Sequence, residues 1–307
     1  MNNYMKLKLY ITLTFISLLM VSCKKKDENK TNTLTITTTT GMLADAVKNI
    51  VQDKATVISL MGPGVDPHLY KATQGDLKRL TEADIVFYNG LHLEGKMAEV
   101  LEKMKRNRTV IAVAENIPVD SLRLTEEGVA DPHVWFDVLL WKNVVETISN
   151  QIQKSDSLNA TFYKTQTEIY LSKLDSLHAF VKKEIESIPP TQRILITAHD
   201  AFGYFGDAYG IEVHGLQGIS TVSEFGLNDV KSLTDFIITH KIKAIFVESS
   251  VSDKSMQAVL QGCQAKGWPV VIGGNLFSDA MGENGTPEGT YIGMVKHNTN
   301  TIVKSLR

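Results

Sequence analysis

The 307-residue sequence has only two cysteines, Cys23 and Cys263, which is too few for a framework held by disulfides. It also lacks an excess of basic residues, since 32 Lys and Arg stand against 34 Asp and Glu. Six of the basic residues but only two of the acidic ones lie in the first 30 residues, so the rest of the chain carries a net charge of −6. Nucleic-acid binders normally present a basic face, so we expect no nucleic-acid partner.

The amino-terminal segment has the pattern of an export signal. Its apolar run, Leu9 to Val21, has 13 residues, fewer than the ~18–20 that cross a bilayer as a helix. The run ends at Met20-Val21-Ser22-Cys23, which resembles a bacterial lipobox, where the cysteine sulfur accepts a diacylglyceryl group. We therefore predict a signal peptide at 1–22, then lipidated Cys23 and a polar tether at 23–33, which anchor an exported protein to the lipid bilayer of a bacterial cell envelope, on its periplasmic or surface face.

From Leu34 onward, short β-rich runs alternate with helical patterns, which is typical of an α/β fold with mostly parallel sheets. The alternation occurs in both halves of the chain. The predicted strands are Leu34–Thr38, Ala55–Leu60, Ile85–Asn89, Thr109–Val113, Ile194–Thr197, Ile211–His214, Ala244–Val247 and Val270–Gly273. The predicted helices between them are Met42–Val51, Gln74–Thr81, Leu93–Lys105, Asn228–His240, Ser255–Lys266 and Gly289–Leu306.

A long helix is predicted between the two halves, because no glycine or proline occurs from Leu158 to Ile188. Its apolar residues recur mostly three or four apart, so one side can pack against both halves. We predict two α/β lobes, at 34–154 and 189–307, joined by one rigid linking helix at 155–188. Such a connection permits only a small closure on a ligand.

Three histidines lie just beyond predicted strands, beside proline or aspartate. His68 and His133 each follow Asp-Pro, and His199 ends the strand that begins at Ile194. Loops at the carboxyl ends of parallel strands converge on one crevice. Imidazole is a good donor for Zn²⁺ and similar cations, and a carboxylate would compensate charge. The pattern favours a metal site with an acidic fourth ligand, although a loop histidine is often only a surface or capping residue.

Longer motifs around these residues resemble those of a known family. They are Asp-Pro-His-Leu-Tyr, Asp-Pro-His-Val-Trp-Phe-Asp, His-Asp-Ala-Phe-Gly-Tyr-Phe, Asn-Leu-Phe-Ser-Asp-Ala-Met-Gly and Asn-Gly-Leu-His-Leu-Glu. These motifs are similar to those of the zinc/manganese-binding lipoproteins of bacterial ABC importers, the TroA-like or cluster A-I receptors, and they occur along the chain in the order found in that family. The resemblance covers about residue 34 to the end. It implies two α/β lobes joined by a long helix, with metal ligands His68, His133, His199 and Asp279 in the interlobe cleft.

The resemblance implies a monomeric receptor that captures a divalent metal as cargo, without an organic cofactor, and delivers it to an ABC permease with its ATPase. Three nitrogens and one oxygen favour Zn²⁺, and Mn²⁺ is second. The absence of histidine from Ser121 to Ala130 argues against a dedicated zinc importer, since many such members carry a histidine-rich loop there.

Two other functions remain as alternatives, and the first of them uses the same four residues. A zinc hydrolase would need a general base, for which Glu248 or Asp200 are candidates, although no H-E-x-x-H motif is present. A surface adhesin or interaction lipoprotein is the third possibility. His92 and Glu248 are candidates to support the ligand histidines, with ordinary packing and helix capping as their alternatives.

Overall fold

Four parallel strands form the sheet of the amino-terminal half in this computed structural model, which describes residues 33–125 and 127–307. The strands are β1 (Leu34–Thr38), β2 (Ala55–Ser59), β3 (Ile85–Tyr88) and β4 (Thr109–Ala112). They lie in the order β2-β1-β3-β4. Parallel neighbours need crossover connections, and the helices α1 (Gly41–Val51), α2 (Gln74–Glu82) and α3 (Ala98–Lys105) lie in them.

Two long helices follow this sheet and pair with each other. They are α4 (Val138–Ser155) and α5 (Ala160–Glu186). The Oγ atoms of Ser149 and Thr167 lie 2.7 Å apart, and Lys142 forms a salt bridge with Asp175, so the two helices run antiparallel. Helix α5 is the predicted long helix, and α4 packs alongside it.

The carboxyl-terminal half contains two pairs of parallel strands. Its elements are β5 (Ile194–His199), α6 (Gly203–Tyr209), β6 (Glu212–Gln217), α7 (Leu227–Thr239), β7 (Ala244–Glu248), α8 (Lys254–Ala265), β8 (Val271–Leu276) and α9 (Tyr291–Leu306). Strand β5 pairs with β6, β7 pairs with β8, and β5 lies beside β7. The predicted α/β class with parallel sheets is therefore confirmed.

One hydrophobic core connects the halves. It contains Ile36 from β1, Trp141 from α4, Leu174 from α5, Leu195 from β5 and Ile302 from α9, all fully buried. Residues 34–307 form one compact unit. The lobe boundaries at 154 and 188 stay a prediction.

Three helices differ most from the sequence prediction. Helix α3 begins at Ala98 rather than Leu93, because the positive φ angles of Leu91 and His92 lie in a series of turns that continues to Met97. Helices α4 and α6 were not predicted. The signal for α4 is present, however, since Asp137 caps it by accepting hydrogen bonds from two backbone N–H groups.

The predicted signal peptide, Cys23 and most of the tether lie outside the described residues. Within the part of the chain that the structure describes, no helix is both long and apolar enough to span a membrane.

Candidate metal centre

The four predicted ligands follow the carboxyl ends of strands. His68 follows β2 and His133 follows β4, while His199 is the last residue of β5 and Asp279 lies three residues beyond β8. All four side chains are at most 3% exposed. Parallel strands therefore bring two imidazoles from the first half together with an imidazole and a carboxylate from the second.

The distances between these side chains suit one small cation. Nε2 of His133 and Nε2 of His199 each lie 3.3 Å from a carboxylate oxygen of Asp279. Nε2 of His68 lies 3.4 Å from Nε2 of His133 and 3.8 Å from Oδ2 of Asp279. One ligand atom from each residue lies within 4.8 Å of all the others. Donors at ~2.0 Å from a tetrahedral zinc would be about 3.3 Å apart.

Unpaired polar atoms point to the same conclusion. Among the described residues, neither carboxylate oxygen of Asp279 has a hydrogen-bond partner, and Nε2 of His199 has none. Each buried polar atom without a partner costs about 1–3 kcal/mol. A bound cation would satisfy all three, because they lie on the inside of one cluster.

Buried carboxylates orient two of the imidazoles from behind. Nδ1 of His133 lies 2.7 Å from Oδ1 of Asp131, and Nδ1 of His199 lies 2.5 Å from Oε2 of Glu248. Glu248 also accepts a hydrogen bond from the backbone N–H of His199, at 2.9 Å. A carboxylate at Nδ1 leaves the lone pair on Nε2, which is the nitrogen that faces the cluster.

The imidazoles differ in protonation when no cation is bound. Burial lowers the pKa of His68 to about 4. Burial also disfavours the charged form of His133, but the Asp131 and Asp279 carboxylates outweigh it and raise the pKa of His133 to about 9. Glu248 and Asp279 likewise raise the pKa of buried His199. Two of the three imidazoles are therefore protonated at neutral pH before a metal binds.

The Asp279 carboxylate is charged in this site. Burial alone would raise its pKa, but the imidazoles of His199 and His133 hold the pKa well below its usual value. Protonated imidazoles thus balance Asp279 in the metal-free protein, and a divalent cation can replace their protons.

The repeated Asp-Pro-His sequence has one structural role in both loops. Oδ1 of Asp66 accepts a hydrogen bond from the backbone N–H of His68 at 2.8 Å, and Oδ1 of Asp131 accepts one from His133 at 3.0 Å. Each aspartate thereby fixes the backbone that carries a ligand histidine. No role was predicted for either aspartate from the sequence, although their identical spacing from histidine was a usable signal.

Side chains join the two halves around the cluster. Nε1 of Trp135 donates a hydrogen bond to the carbonyl oxygen of Ser278, next to Asp279, at 3.0 Å. The hydroxyl of Tyr204 donates to the carbonyl oxygen of Asp131, also at 3.0 Å. These contacts fix the backbones that carry ligands in one half against the other half.

The two candidate supporting residues are placed differently. Glu248 contacts His199 through both of its oxygens, as described above. His92 is exposed on a turn where its φ angle is +65°. The buried titratable residue of that turn is Glu94, at 3% exposure, and no role was predicted for it from the sequence.

Comparison with known proteins gives consistent matches. A family model described as the periplasmic zinc-uptake complex component A, ZnuA, matches residues 36–305. The manganese-binding lipoprotein MntA of Bacillus subtilis is 53% identical over 270 residues, which is 88% of each chain. The zinc-binding protein TroA of Treponema pallidum is 51% identical over 268 residues, 87% of each chain.

A solved structure has the same fold. The structure of the periplasmic zinc-binding protein TroA from Treponema pallidum matches with a TM-score of 0.88 at 50% sequence identity. The match covers 89% of this chain and 99% of that chain.

Proposed function

Because the chain belongs to the ZnuA family of periplasmic zinc-uptake components, we propose that it binds a divalent transition metal outside the cytoplasm and delivers it to an ABC import permease. One observation carries this proposal: three imidazoles and one carboxylate from both halves of the chain converge, buried, within 4.8 Å of one another. Three neutral imidazoles and one carboxylate around a divalent cation leave a charge of about +1, which is far cheaper to bury than a bare ion.

Zinc is the favoured cargo, and manganese is the second. Three nitrogen donors and one oxygen donor suit Zn²⁺, which also outranks Mn²⁺ in the usual affinity order. Relatives of this chain are named for each metal, since TroA is called zinc-binding and MntA manganese-binding. The proposed donor set of His68, His133, His199 and Asp279 favours zinc.

A transport role fits the site better than hydrolysis. A catalytic zinc keeps an open position for water and needs a nearby general base. Glu248, one candidate base, is engaged by both the backbone N–H and Nδ1 of His199. We infer that the protein is not an enzyme and that the carboxylate orients a ligand.

The names of relatives support a membrane-anchored arrangement. Several relatives are named as lipoproteins, among them the manganese ABC transporter lipoprotein PsaA of Streptococcus pneumoniae. We propose that acylated Cys23 anchors a monomer to the cell envelope, where it meets the permease and its ATPase. The metal would be held between lobes at 34–154 and 189–307, which the helix at 155–188 links.

The decisive test is metal binding by purified protein. Protein from its native envelope should contain about one zinc per chain by mass spectrometry, and stripped protein should prefer Zn²⁺ over Mn²⁺ in competition. The variant His199→Ala should lose at least ~100-fold in zinc affinity, because it removes one ligand and leaves Glu248 without its partner.

His178→Ala is the matched control. His178 lies on α5, where its Nδ1 is 3.3 Å from the hydroxyl of Tyr209. Its removal should leave zinc affinity within about twofold of the wild type. Equal losses in the two variants would refute the ligand assignment.

A further inference from the structure

A buried carboxylate organises the turn after β3. Oε1 of Glu94 accepts hydrogen bonds from the Thr39 hydroxyl at 2.7 Å and from the backbone N–H of Asn89 at 2.8 Å. Its Oε2 accepts a hydrogen bond from the backbone N–H of Gly90 at 3.2 Å. All three partners are hydrogen-bond donors. An ionised carboxylate can accept a hydrogen bond from each of them and needs no cationic neighbour. Glu94 thus joins the chain just beyond β1 to the chain just beyond β3.

The turn that Glu94 holds has an unusual backbone. Gly90, Leu91 and His92 have consecutive φ angles of +83°, +51° and +65°. Bulky residues such as Leu91 seldom adopt positive φ, and doing so costs free energy. The two hydrogen bonds that the backbone N–H groups of Asn89 and Gly90 donate to Glu94 offset that cost, so the carboxylate fixes where Asn89 lies.

Asn89 contacts the loop that carries a metal ligand. Its side chain is 1% exposed, and Nδ2 donates a hydrogen bond to the carbonyl oxygen of Pro132 at 3.0 Å. Pro132 directly precedes His133. This contact spans 43 residues of sequence, so it is a tertiary constraint on the ligand loop rather than a local turn.

The carbonyl of Pro132 determines the direction of the His133 backbone. It also accepts a hydrogen bond from the backbone N–H of Val134 at 2.9 Å. His133 lies between the two partners with φ −82° and ψ 42°, close to the inverse γ-turn at about −75° and +65°. The imidazole therefore leaves the chain at the apex of a three-residue turn, and Asn89 holds one end of it.

We propose that Asn89, held by Glu94, is a positioning residue that sets the place of His133 in the metal site. Neither side chain contacts the cation cluster, so both act through the backbone of Pro132. Asp131 fixes the backbone N–H and the Nδ1 atom of His133, and Asn89 fixes the carbonyl group of Pro132, the preceding residue. Loss of Asn89 would let the γ-turn relax and move Nε2 away from Asp279. The inference rests on the proposed metal-binding function.

The test compares Asn89→Ala with the wild type, using Zn²⁺ for affinity and Co²⁺ as a spectroscopic probe of ligand geometry. The variant should bind zinc about tenfold more weakly, at the low end of the range for residues behind a metal ligand. Its cobalt absorption bands should shift in position or intensity, because the angle of one nitrogen donor changes.

Thr167→Val is the matched control, since it also removes a buried side-chain hydrogen bond. Thr167 pairs with Ser149 between α4 and α5, and neither residue contacts a predicted ligand through that bond. Thr167→Val should lower thermal stability while leaving zinc affinity and the cobalt spectrum unchanged. Glu94→Gln replaces Asn89→Ala if the latter does not fold, and it should weaken zinc binding in the same direction.

The outcomes separate two failures. A wild type that binds zinc, together with an Asn89→Ala variant of unchanged affinity and cobalt spectrum, overturns the positioning role alone. If Thr167→Val weakened zinc binding and changed the cobalt spectrum equally, the positioning role would also be overturned, because the weaker binding would then reflect a loss of general stability. A wild type that binds none of Zn²⁺, Co²⁺ and Mn²⁺ overturns the proposed function itself.

Discussion

Each ligand imidazole has its own electrostatic environment. His68 is neutral near pH 7 because burial lowers its pKa, whereas the carboxylates around His133 raise its pKa to about 9. Glu248 and Asp279 also raise the pKa of His199. A metal ligand must be unprotonated, so the pH dependence of binding comes from His133 and His199 rather than from His68.

Zinc binding should therefore release protons. At pH 7, calorimetry in buffers of different ionisation enthalpy should give about two protons released per zinc, one each from His133 and His199. Affinity should rise from pH 6 toward pH 9, because the raised pKa of His133 keeps its proton in competition with the metal across this interval. Binding without proton release would contradict the assigned protonation states.

The carboxylate behind His199 can be tested by an isosteric change. Glu248→Gln keeps the shape but removes the charge that orients and polarises the imidazole, so zinc affinity should fall by about 10- to 100-fold. Glu212→Gln is the control, because Glu212 forms the same kind of pair with the more exposed His214, at 2.7 Å. Competition titrations with a zinc chelator measure the zinc affinity of both variants. Equal affinities in the two variants would count against the role of Glu248.

The elements that connect the halves depend on a few capping residues. Asp156 lies between α4 and α5, where its carboxylate accepts hydrogen bonds from the backbone N–H of Asn159 and from the Tyr163 hydroxyl. Burial alone would raise the pKa of Asp156, but bonds from Tyr163 and Asn159 outweigh it and lower the pKa below 3.8. This residue stabilises the turn that lets α5 pack against α4.

Asp156→Ala should destabilise the helix pair by about 1 kcal/mol, as for other caps, and lower the midpoint of urea unfolding. Asp120→Ala changes an exposed residue and should have little effect on that midpoint. The lowered pKa means that the contribution is fully present above pH ~4 and is lost as pH falls through the folded pKa. The stability difference between wild type and variant should thus shrink in strong acid, and a difference independent of pH would contradict the assignment.

Element boundaries show why sequence patterns were only partly sufficient. Strand β1 was predicted at its observed bounds, because a short β-rich run ends there at polar residues. Helix α3 was predicted five residues too early. Leu93 and Met97 fit the apolar spacing of a helix, but the positive φ angles just before Leu93 place this stretch in a turn. Those angles are held by Glu94, a tertiary constraint that local periodicity does not contain.

Across the whole molecule, one core and one site depend on both halves. Core residues come from strands of both halves and from α4, α5 and α9, and the cluster of proposed ligands takes two side chains from each half. Metal binding is therefore linked to the stability of the entire unit, because unfolding either half disperses the ligands.

Zinc should raise the thermal unfolding temperature of the metal-free protein. At a free concentration 1,000 times the dissociation constant, binding stabilises the folded state by about 4 kcal/mol. Differential scanning calorimetry should detect this as a shift of several degrees that a chelator reverses. His199→Ala should lose most of the shift while His178→Ala retains it, and an equal shift in both would contradict the shared site.

The sequence by itself determined the residue types and their places at strand ends. Alternating β-rich and helical runs gave the α/β class, and Asp-Pro-His twice, with His199 after a strand, identified three candidate ligands because parallel strands direct such loops to one edge. Only the tertiary structure decided that Asp131 and Glu248 lie behind His133 and His199, and that Asn89 holds Pro132. Glu248 and Asn89 lie 43 or more residues from their partners, and their distances depend on how the strands pack, which no local pattern encodes.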